Sequence, residues 1–381
     1  MACCAADRVR DAQDCLRSRR ACRLPPYPAG WRRAMIRGSS LCGQLAARVA
    51  MVVWFAVIAG GGTGCVAHGS DDPAIDTLPL KLIGDVPLPG CASRFDYESY
   101  DPQRHLLFIA HLGDGEVVVF DTLASRVVAR IPGVSAVHGV LAVPALSRVY
   151  ASATGTNKIV AIDADTLKIV ARTPGGVYPD GMAWVPDVQK LYVSDETGET
   201  ETVIDGSTNR RVATVSLGGE VGNTQYDPVS RHVFVNVQSR RQLVEIDPRT
   251  DTVVARTELP GARGNHGLLI VPEFRLALIA CEDNDRLLVL DMRTMKEIAA
   301  FDVGGTPDVL AYDPALRTVY VAGEAGVVSM FHVDTSHVVK IGDGRVGPDA
   351  HVVSVDAASH DAWFALKDVD GHPVLRIMAP R

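Results

Sequence analysis

The sequence lacks several features that would assign it at once to a common class of protein. It has no apolar run of 18 residues, which excludes a polytopic membrane protein. Aromatic residues make up only 6% of the chain, and they are not arrayed as stacking platforms for nucleic-acid bases. The hydrophobic content of 47% is too high for a disordered chain, and 34 glycines interrupt the sequence too often for a long helical bundle.

The motifs of several common enzyme families are also absent. The chain contains no GxSxG, no phosphate-binding P-loop, no HExxH and no paired CxxC. The signature of WD repeats is missing as well, which argues against a cytoplasmic scaffold of that type. Function therefore has to be inferred from how the remaining polar residues are arranged.

The charges divide the chain into a basic leader and an acidic body. Residues 1–65 contain ten Arg, no Lys and three Asp, which gives a net charge of +7. Since the whole chain has 38 basic and 45 acidic residues, the remainder has 28 and 42, a net charge of −14. An acidic body repels phosphates, so we expect no nucleic-acid partner.

The leader, residues 1–64, has the pattern of a secretory signal peptide. Basic residues precede an apolar run at residues 49–59, and small residues then lead to Cys65. Because a signal peptide seldom begins so far into a chain, we expect translation to start at Met35. Cys65 is a candidate lipidation site, although Gly62 stands where a lipoprotein cleavage box favours Leu. Cleavage nearby as an ordinary signal peptide and an uncleaved anchor are the alternatives.

All three alternatives predict an exported protein of a bacterium, either periplasmic or held at the membrane as a lipoprotein. Contact with the membrane would then be made only through a lipid anchor at Cys65. Residues 65–78 are expected to be a linker between the leader and the body.

The body consists of seven repeats of about 42 residues. A marker residue recurs at intervals of 42 to 44 residues, at Pro102, Pro144, Pro186, Pro228, Pro272, Pro314 and, in an equivalent context, Ala357. Each repeat contains alternating apolar runs rich in β-branched residues, which indicate four strands. We therefore predict an all-β protein, a seven-bladed β-propeller of four-stranded antiparallel blades over residues 79–381.

The two ends of the body predict how the ring closes. The last repeat ends one strand short, whereas residues 80–86, before the first repeat, form a strand with no partner in their own repeat. We predict that this N-terminal strand completes the last blade and so removes an exposed sheet edge.

Several strands share a motif that resembles YVTN repeats. Residues 148–152, 190–194, 231–236 and 318–322 read RVYAS, KLYVS, RHVFVN and TVYVA. Over about residues 80–381 the chain resembles YncE-type seven-bladed propellers. The resemblance implies an exported or surface protein, most members of the family having no assigned reaction.

One position of the repeat collects ionisable side chains. Six residues before each marker, where the innermost strand should begin and face the central channel, stand Asp96, His138, Asp180, Gly222, His266, Asp308 and His351. Asn223 and Asn265 are adjacent to this series. A second tier follows 15 or 16 residues later, near the end of the next strand, at His111, Asp195, Glu282, Glu324 and Lys367. Because consecutive strands run antiparallel, we expect neighbours across the tiers at Asp96/His111, Asp180/Asp195 and His266/Glu282, around one channel mouth.

These residues have two interpretations. They can bond to the backbone of neighbouring blades and hold the ring in register, a role that would recur in every repeat. They can also bind a ligand at the channel mouth, either a small molecule, a metal or a protein. We favour a non-catalytic, monomeric binding protein. The sequence identifies no cofactor, but a divalent metal ion is a candidate, with His111, His138, His266 and His351 as its potential ligands.

An enzyme is the alternative. Streptogramin lyases and lactonase-like propellers are similar in architecture and use a His with carboxylates, commonly with a divalent cation. That similarity implies a lyase or a lactonase-like hydrolase, with His266 as the base and Glu282 as a metal-linked acid. Asp180, Asp308 and His351 would lie nearby.

Overall fold

A computed structural model of the chain describes residues 77–335 and 337–381. The expected leader, Met35, Cys65 and nearly all of the expected linker lie outside the described residues. Within the described part of the chain, no helix is both long and apolar enough to cross a bilayer.

The described residues form seven four-stranded antiparallel sheets, each of which is one blade of a β-propeller. Blades one to four contain β2 (Glu98–Asp101), β3 (Leu106–His111), β4 (Glu116–Asp121), β5 (Arg126–Pro132); β6 (Val137–Val143), β7 (Arg148–Ala153), β8 (Lys158–Asp163), β9 (Lys168–Pro174); β10 (Pro179–Val185), β11 (Lys190–Asp195), β12 (Thr200–Asp205), β13 (Arg210–Ser216); and β14 (Val221–Asp227), β15 (His232–Val237), β16 (Gln242–Asp247), β17 (Thr252–Glu258). Blades five to seven contain β18 (Asn265–Val271), β19 (Leu276–Cys281), β20 (Arg286–Asp291), β21 (Lys296–Asp302); β22 (Pro307–Asp313), β23 (Thr318–Gly323), β24 (Val327–Val333), β25 (Val338–Arg345); and β26 (Ser354–Val355), β27 (Ala362–Val369), β28 (His372–Pro380) with β1 (Leu80–Pro87). Short 3-10 helices lie at Pro144–Leu146, Thr154–Thr156, Gln238–Arg240 and Glu282–Asn284. The predicted seven-bladed fold is confirmed.

Local turn chemistry sets the repeat. The proline markers follow the innermost strands directly, as Pro144 follows β6, because a ring-fixed φ suits the start of a turn. The turn between the third and fourth strands begins at an aspartate. In blade two, Asp163 Oδ1 accepts the backbone N–H of Thr166 at 2.9 Å, so the side chain stabilises the turn.

The N-terminal strand closes the ring as predicted. β1 pairs antiparallel with β28, from Leu80 opposite Pro380 to Pro87 opposite Val374. An ion pair adds to the ladder, since Arg376 Nε donates to Asp85 Oδ1 at 2.8 Å. The side chain of Leu80 is buried in the same core cluster as strands of blades seven and one. The closing strand is therefore held both by backbone hydrogen bonds and by apolar packing.

The hydrophobic core lies between the faces of adjacent blades. The second and third strands of a blade are buried on both faces, as in β3 and β4, whereas the outermost strand β5 alternates between exposed and partly buried residues. Packing of this kind fixes the seven innermost strands around the central channel, where their polar residues face one another.

Candidate ligand site at the channel mouth

The polar ring positions lie where the innermost strands lose regular pairing. In blades two to six, the ladder between the first and second strands shifts register at this point, for example between Asn265 and Leu268 and between Pro307 and Leu310. Such irregularities turn side chains away from strict alternation and are common beside binding sites. Neighbouring backbones also come close here, because a Cβ on Gly267 would clash with the carbonyl oxygen of Asp308. In blades two, three, five and six this irregular point carries an ionisable ring residue, whereas blade four has Gly222 there, followed by Asn223.

The mouth is organised around a cation that the sequence pattern does not reveal. Arg94 contacts three carboxylates, with Nη1 at 2.7 Å from Glu324 Oε1, Nε at 3.6 Å from Asp96 Oδ2 and Nη2 at 3.9 Å from Asp308 Oδ2. Asp96 and Asp308 are buried, and Glu324 is half-buried. Arg94 stands two residues before the ring position, where the other repeats have unrelated residues. A search for ionisable residues at that position of each repeat would have found Arg94, together with Asp349.

His266 lies between two carboxylates. Its Nε2 is 3.6 Å from Asp308 Oδ1, and its Nδ1 is 3.8 Å from Glu282 Oε1. One donor atom from each of these three residues lies within 4.8 Å of the others, a spacing suited to a metal ion. We call His266, Glu282 and Asp308 the mouth cluster. The predicted neighbours His266 and Glu282 are therefore close together.

The hydrogen bonds of Gln238 restrict which protonation state of His266 fits the structure. Its Nε2 donates to the carbonyl of Val221 at 3.0 Å and lies 3.1 Å from His266 Nδ1. This arrangement suits a neutral imidazole that carries its proton on Nε2, facing Asp308. Glu282 and Asp308 oppose the effect of burial and raise the pKa of His266 to about 10. A protonated imidazole requires rotation of the Gln238 amide, so that its oxygen faces Nδ1.

Other ring residues have partners that are mainly structural. Both nitrogens of His138 are engaged, Nδ1 with the carbonyl of Ala136 and Nε2 with the hydroxyl of Tyr178, each at 2.9 Å. Asn223 accepts a hydrogen bond from the hydroxyl of Tyr97, a residue of a different blade. These contacts leave His138 no free nitrogen for a metal.

The remaining histidine of the ring keeps one nitrogen open. His351 is fully buried, its Nδ1 lies 3.4 Å from Asp349 Oδ1, and its Nε2 has no hydrogen-bond partner. Asp349 also contacts Lys367 Nζ at 3.2 Å. Asp349 opposes the effects of burial and Arg94 and helps to raise the pKa of His351 to about 9.

Two members of the second tier are occupied away from the ring. The carboxylate of Asp195 accepts hydrogen bonds from the Gly176 N–H and the hydroxyls of Thr200 and Thr202, all at 2.8 Å. His111 stacks on Phe95 and lies near Asp114 and Glu116. The described structure records no hydrogen bond or ion pair between the side chains of Asp180 and Asp195 or of Asp96 and His111, although their strands are adjacent, with Pro179 opposite Asp195 and the Asp96 N–H bonded to the carbonyl of Ala110. Asn265, beside the ring, donates to the carbonyl of Gln242 at 3.1 Å.

The channel mouth contains more buried carboxylate groups than the nearby cations and hydrogen-bond donors can balance. Burial raises the pKa of Asp180 to about 7 and that of Glu282 to about 8, and it also raises the pKa of Asp308. Burial alone would raise the pKa of Asp96, but His138 and Arg94 outweigh it and lower that pKa. Asp180 Oδ1 and Asp308 Oδ1 are buried without a hydrogen-bond partner. Buried polar atoms are nearly always paired, so these two oxygens need an explanation.

Comparison with known proteins supports the fold and identifies no family. No family model and no curated protein sequence match the chain. By structure, 1796 solved chains match, so the likeness is to a widespread architecture. One of them belongs to Kuenenia stuttgartiensis hydrazine synthase, with a TM-score of 0.65 and 14% sequence identity, over 83% of this chain and 99% of that chain. At this level of identity the similarity supports the propeller fold alone.

Proposed function

We propose that this chain is an exported, YncE-like propeller that binds a small cationic ligand at its channel mouth without transforming it. The observation that carries the proposal is a pair of buried carboxylate oxygens that accept no hydrogen bond, Asp180 Oδ1 and Asp308 Oδ1, the second of which has an ion-pair contact with His266 Nε2 at 3.6 Å. A group that only held the blades in register would have its hydrogen-bonding capacity filled by the neighbouring blade. These oxygens have capacity left for a donor or a metal ion.

The charge at the mouth favours a cation over an anion or a neutral ligand. The mouth contains six carboxylates whose pKa values are shifted, against the cations Arg94, His266 and His351; the six are Asp96, Asp180, Glu282, Asp308, Glu324 and Asp349. At Glu282, burial raises the pKa to about 8 even though His266 lies beside it and lowers that pKa, so a proton takes the place of a further counterion. A bound amine, guanidinium or divalent metal would replace such protons.

The rest of the proposal comes from the sequence. The leader pattern supports export, with Cys65 as a lipid anchor or with ordinary cleavage nearby, and residence in the periplasm. The net charge of −14 after residue 65 supports the absence of a nucleic-acid partner. We further propose that the protein acts as a monomer and that the mouth is open to its ligand from solution.

The experiment is a calorimetric titration at pH 7 with 1,4-diaminobutane and, separately, with Mn²⁺. Asp308→Asn should weaken binding by about tenfold or more, because it removes the charge from a hydrogen bond or metal ligand. Asp302→Asn is the matched control, since it removes the same charge from a side chain that is 89% exposed. Failure of the wild-type protein to bind either probe would overturn the proposal, as would equal affinities for the Asp308→Asn variant and the wild type.

A metal-dependent lyase or lactonase-like hydrolase is the second candidate function. It is favoured by the mouth cluster, in which the carboxyl of Glu282, whose pKa burial raises to about 8, lies 3.8 Å from His266. Because the pKa of His266 is raised to about 10, the imidazole would act as the base only after losing a proton at pH 7. Elemental analysis of protein purified without added metal tests this candidate. Stoichiometric metal that is lost in Glu282→Gln would support it. Absence of metal, together with a melting temperature that a chelator does not change, would contradict it.

A further inference from the structure

A second group of donors lies away from the mouth cluster, where β3 turns into β4. His111, the last residue of β3, is fully buried, and its ring stacks on Phe95 with the centroids 4.1 Å apart. Nε2 lies 3.0 Å from the hydroxyl of Ser93, whereas Nδ1 has no hydrogen-bond partner. Asp114 Oδ2 and Glu116 Oε1 each lie 3.9 Å from that nitrogen.

We call His111, Asp114 and Glu116 the connector cluster, because it holds the segment that joins β1 to β2. The Cys91 N–H donates to Asp114 Oδ2 at 3.1 Å, and the Gly113 N–H donates to the carbonyl of Arg94 at 3.1 Å. With the Ser93 contact, these bonds tie residues 91–94 to the β3–β4 turn. The cluster therefore lies beside the chain that links the closing strand to blade one.

The geometry around His111 is that of a metal ligand with its supporting hydrogen bond. If Nε2–H donates to Ser93, the lone pair on Nδ1 faces the two carboxylates. A ligating histidine commonly donates its other N–H to such a partner, which fixes its tautomer and orientation.

Arg130 offsets one of the two negative charges of this cluster. Its Nε lies 2.8 Å from Glu116 Oε1, and its Nη2 lies 2.7 Å from the same oxygen and 3.9 Å from Asp114 Oδ2. The Arg130 side chain is 47% exposed, so its guanidinium has room to leave towards solvent. The carboxylates of Asp114 and Glu116 lie on the side of His111 towards which the Nδ1 lone pair points. A cation that they attract would therefore meet that lone pair.

We propose that His111, Asp114 and Glu116 bind a divalent transition metal ion, with Zn²⁺ as the best match, in the place that the Arg130 guanidinium now takes. One atom from each residue lies within 4.8 Å of the others, so a modest contraction brings all three to a common ion. One imidazole nitrogen and two carboxylate oxygens are ligands that Zn²⁺ accepts, with water at the fourth position. The metal would join the connector to blade one and stabilise the closed ring by mass action.

The test uses chelator-treated protein that carries Glu282→Gln and Asp308→Asn, so that Zn²⁺ cannot bind at the mouth cluster. Titration of this background protein with Zn²⁺ should show one site. Adding Glu116→Gln should weaken it by about tenfold or more. Adding Ser93→Ala should weaken it by about 10–100-fold, since it removes the partner of Nε2 and keeps all three ligands.

The Arg130→Gln variant is expected to change the affinity for Zn²⁺ in the opposite direction. It leaves all three proposed ligands in place, so its result does not depend on whether a ligand variant folds. Removal of the competing cation should tighten Zn²⁺ binding by up to about fivefold, the worth of a partly exposed ion pair. Co²⁺ absorption in the visible range provides a second readout, because nitrogen ligation by His111 shifts it. A background protein that binds no Zn²⁺ would overturn the proposal, and so would unchanged affinity in both Glu116→Gln and Ser93→Ala, or weaker binding in Arg130→Gln. None of these results depends on whether the mouth binds a cation.

Discussion

Replacement of Arg94 by Met tests the electrostatic organisation of the mouth. The change keeps an apolar stem and removes the cation that faces Asp96, Asp308 and Glu324. Loss of one partner from a buried ion pair costs about 3–5 kcal/mol, because the other charge stays buried. The shortest contact is to Glu324, which is 37% exposed and contributes at most about 1 kcal/mol. The two buried partners are more than 3.5 Å away, so we expect the lower end of the range, about 3 kcal/mol.

This loss should depend on pH in a defined direction. Arg94 helps to lower the pKa of Asp96 and of Glu324 in the folded protein. A lowered carboxyl pKa contributes stability that is present above the unfolded value of about 4 and is lost as the pH falls through the folded value. The difference between wild type and Arg94→Met should therefore be largest near pH 7 and shrink below pH 4. Urea denaturation, followed by the fluorescence of the buried Trp363, measures it.

The matched control is Arg249→Met. Arg249 also contacts an aspartate, with Nη2 3.0 Å from Asp247 Oδ2, but its side chain is 75% exposed. We expect a change of about 0–1 kcal/mol there. If Arg94→Met destabilises the protein no more than the control at pH 7, or by the same amount at pH 7 and pH 3.5, the account of the mouth given above is refuted.

Three further predictions concern closure, packing and protonation. Leu80→Ala should lower the free energy of unfolding by about 2–5 kcal/mol in urea denaturation, because Leu80 is 1% exposed in the closing strand. The control Leu82→Ala, at a position that is 52% exposed, should be nearly neutral. Similar losses for both variants would argue against a packed closure. Gly267→Ala should cost about 1–3 kcal/mol, because its Cβ meets the neighbouring blade, whereas Gly84→Ala meets nothing within 4 Å and should fold as wild type. The imidazole of His266 should titrate near pH 10 by NMR. The stability that comes from its raised pKa should be complete below pH 6.5 and should be lost as the pH rises towards 10. An NMR midpoint near pH 6.5 would contradict this prediction.

The fold was predictable because its information is local and repeated. Blades one to five each end the innermost strand at a turn marker such as Pro144 and begin the outermost strand after an aspartate turn such as that of Asp163. Seven copies of a weak local signal add up to a strong periodic one. Closure by residues 80–86 followed from counting strands, since a sheet of three strands at one end and a lone strand at the other have a common solution.

The site was only partly predictable, because a difference of one residue along a strand changes the direction of the side chain. Asp195 is the last residue of β11 and is bound by Thr200 and Thr202, whereas Glu282 stands one residue after the end of β19 and lies beside His266. The available signal was the pair of hydroxyl donors on the following strand, Thr200 directly opposite Asp195 and Thr202 two residues further along. Arg94 escaped notice because periodicity highlights residues that recur, and a single cation in one repeat does not recur.

If the mouth binds the proposed cation, the distribution of buried atoms without hydrogen bonds predicts that the cation binds off the channel axis. If the ring were purely structural, every member would be satisfied in the way that His138 is, with both nitrogens bonded. Unfilled atoms instead occur at Asp308 and His351, in blades six and seven, and at Asp180 in blade three. His266 of blade five completes a run of three adjacent blades, and Glu282 stands beside it. A cation seated over these blades contacts Asp308 directly and interacts with Asp180 only from a distance. Asp308→Asn should therefore weaken binding of Mn²⁺ several times more than Asp180→Asn in the same titration, whereas equal losses would place the ligand on the axis.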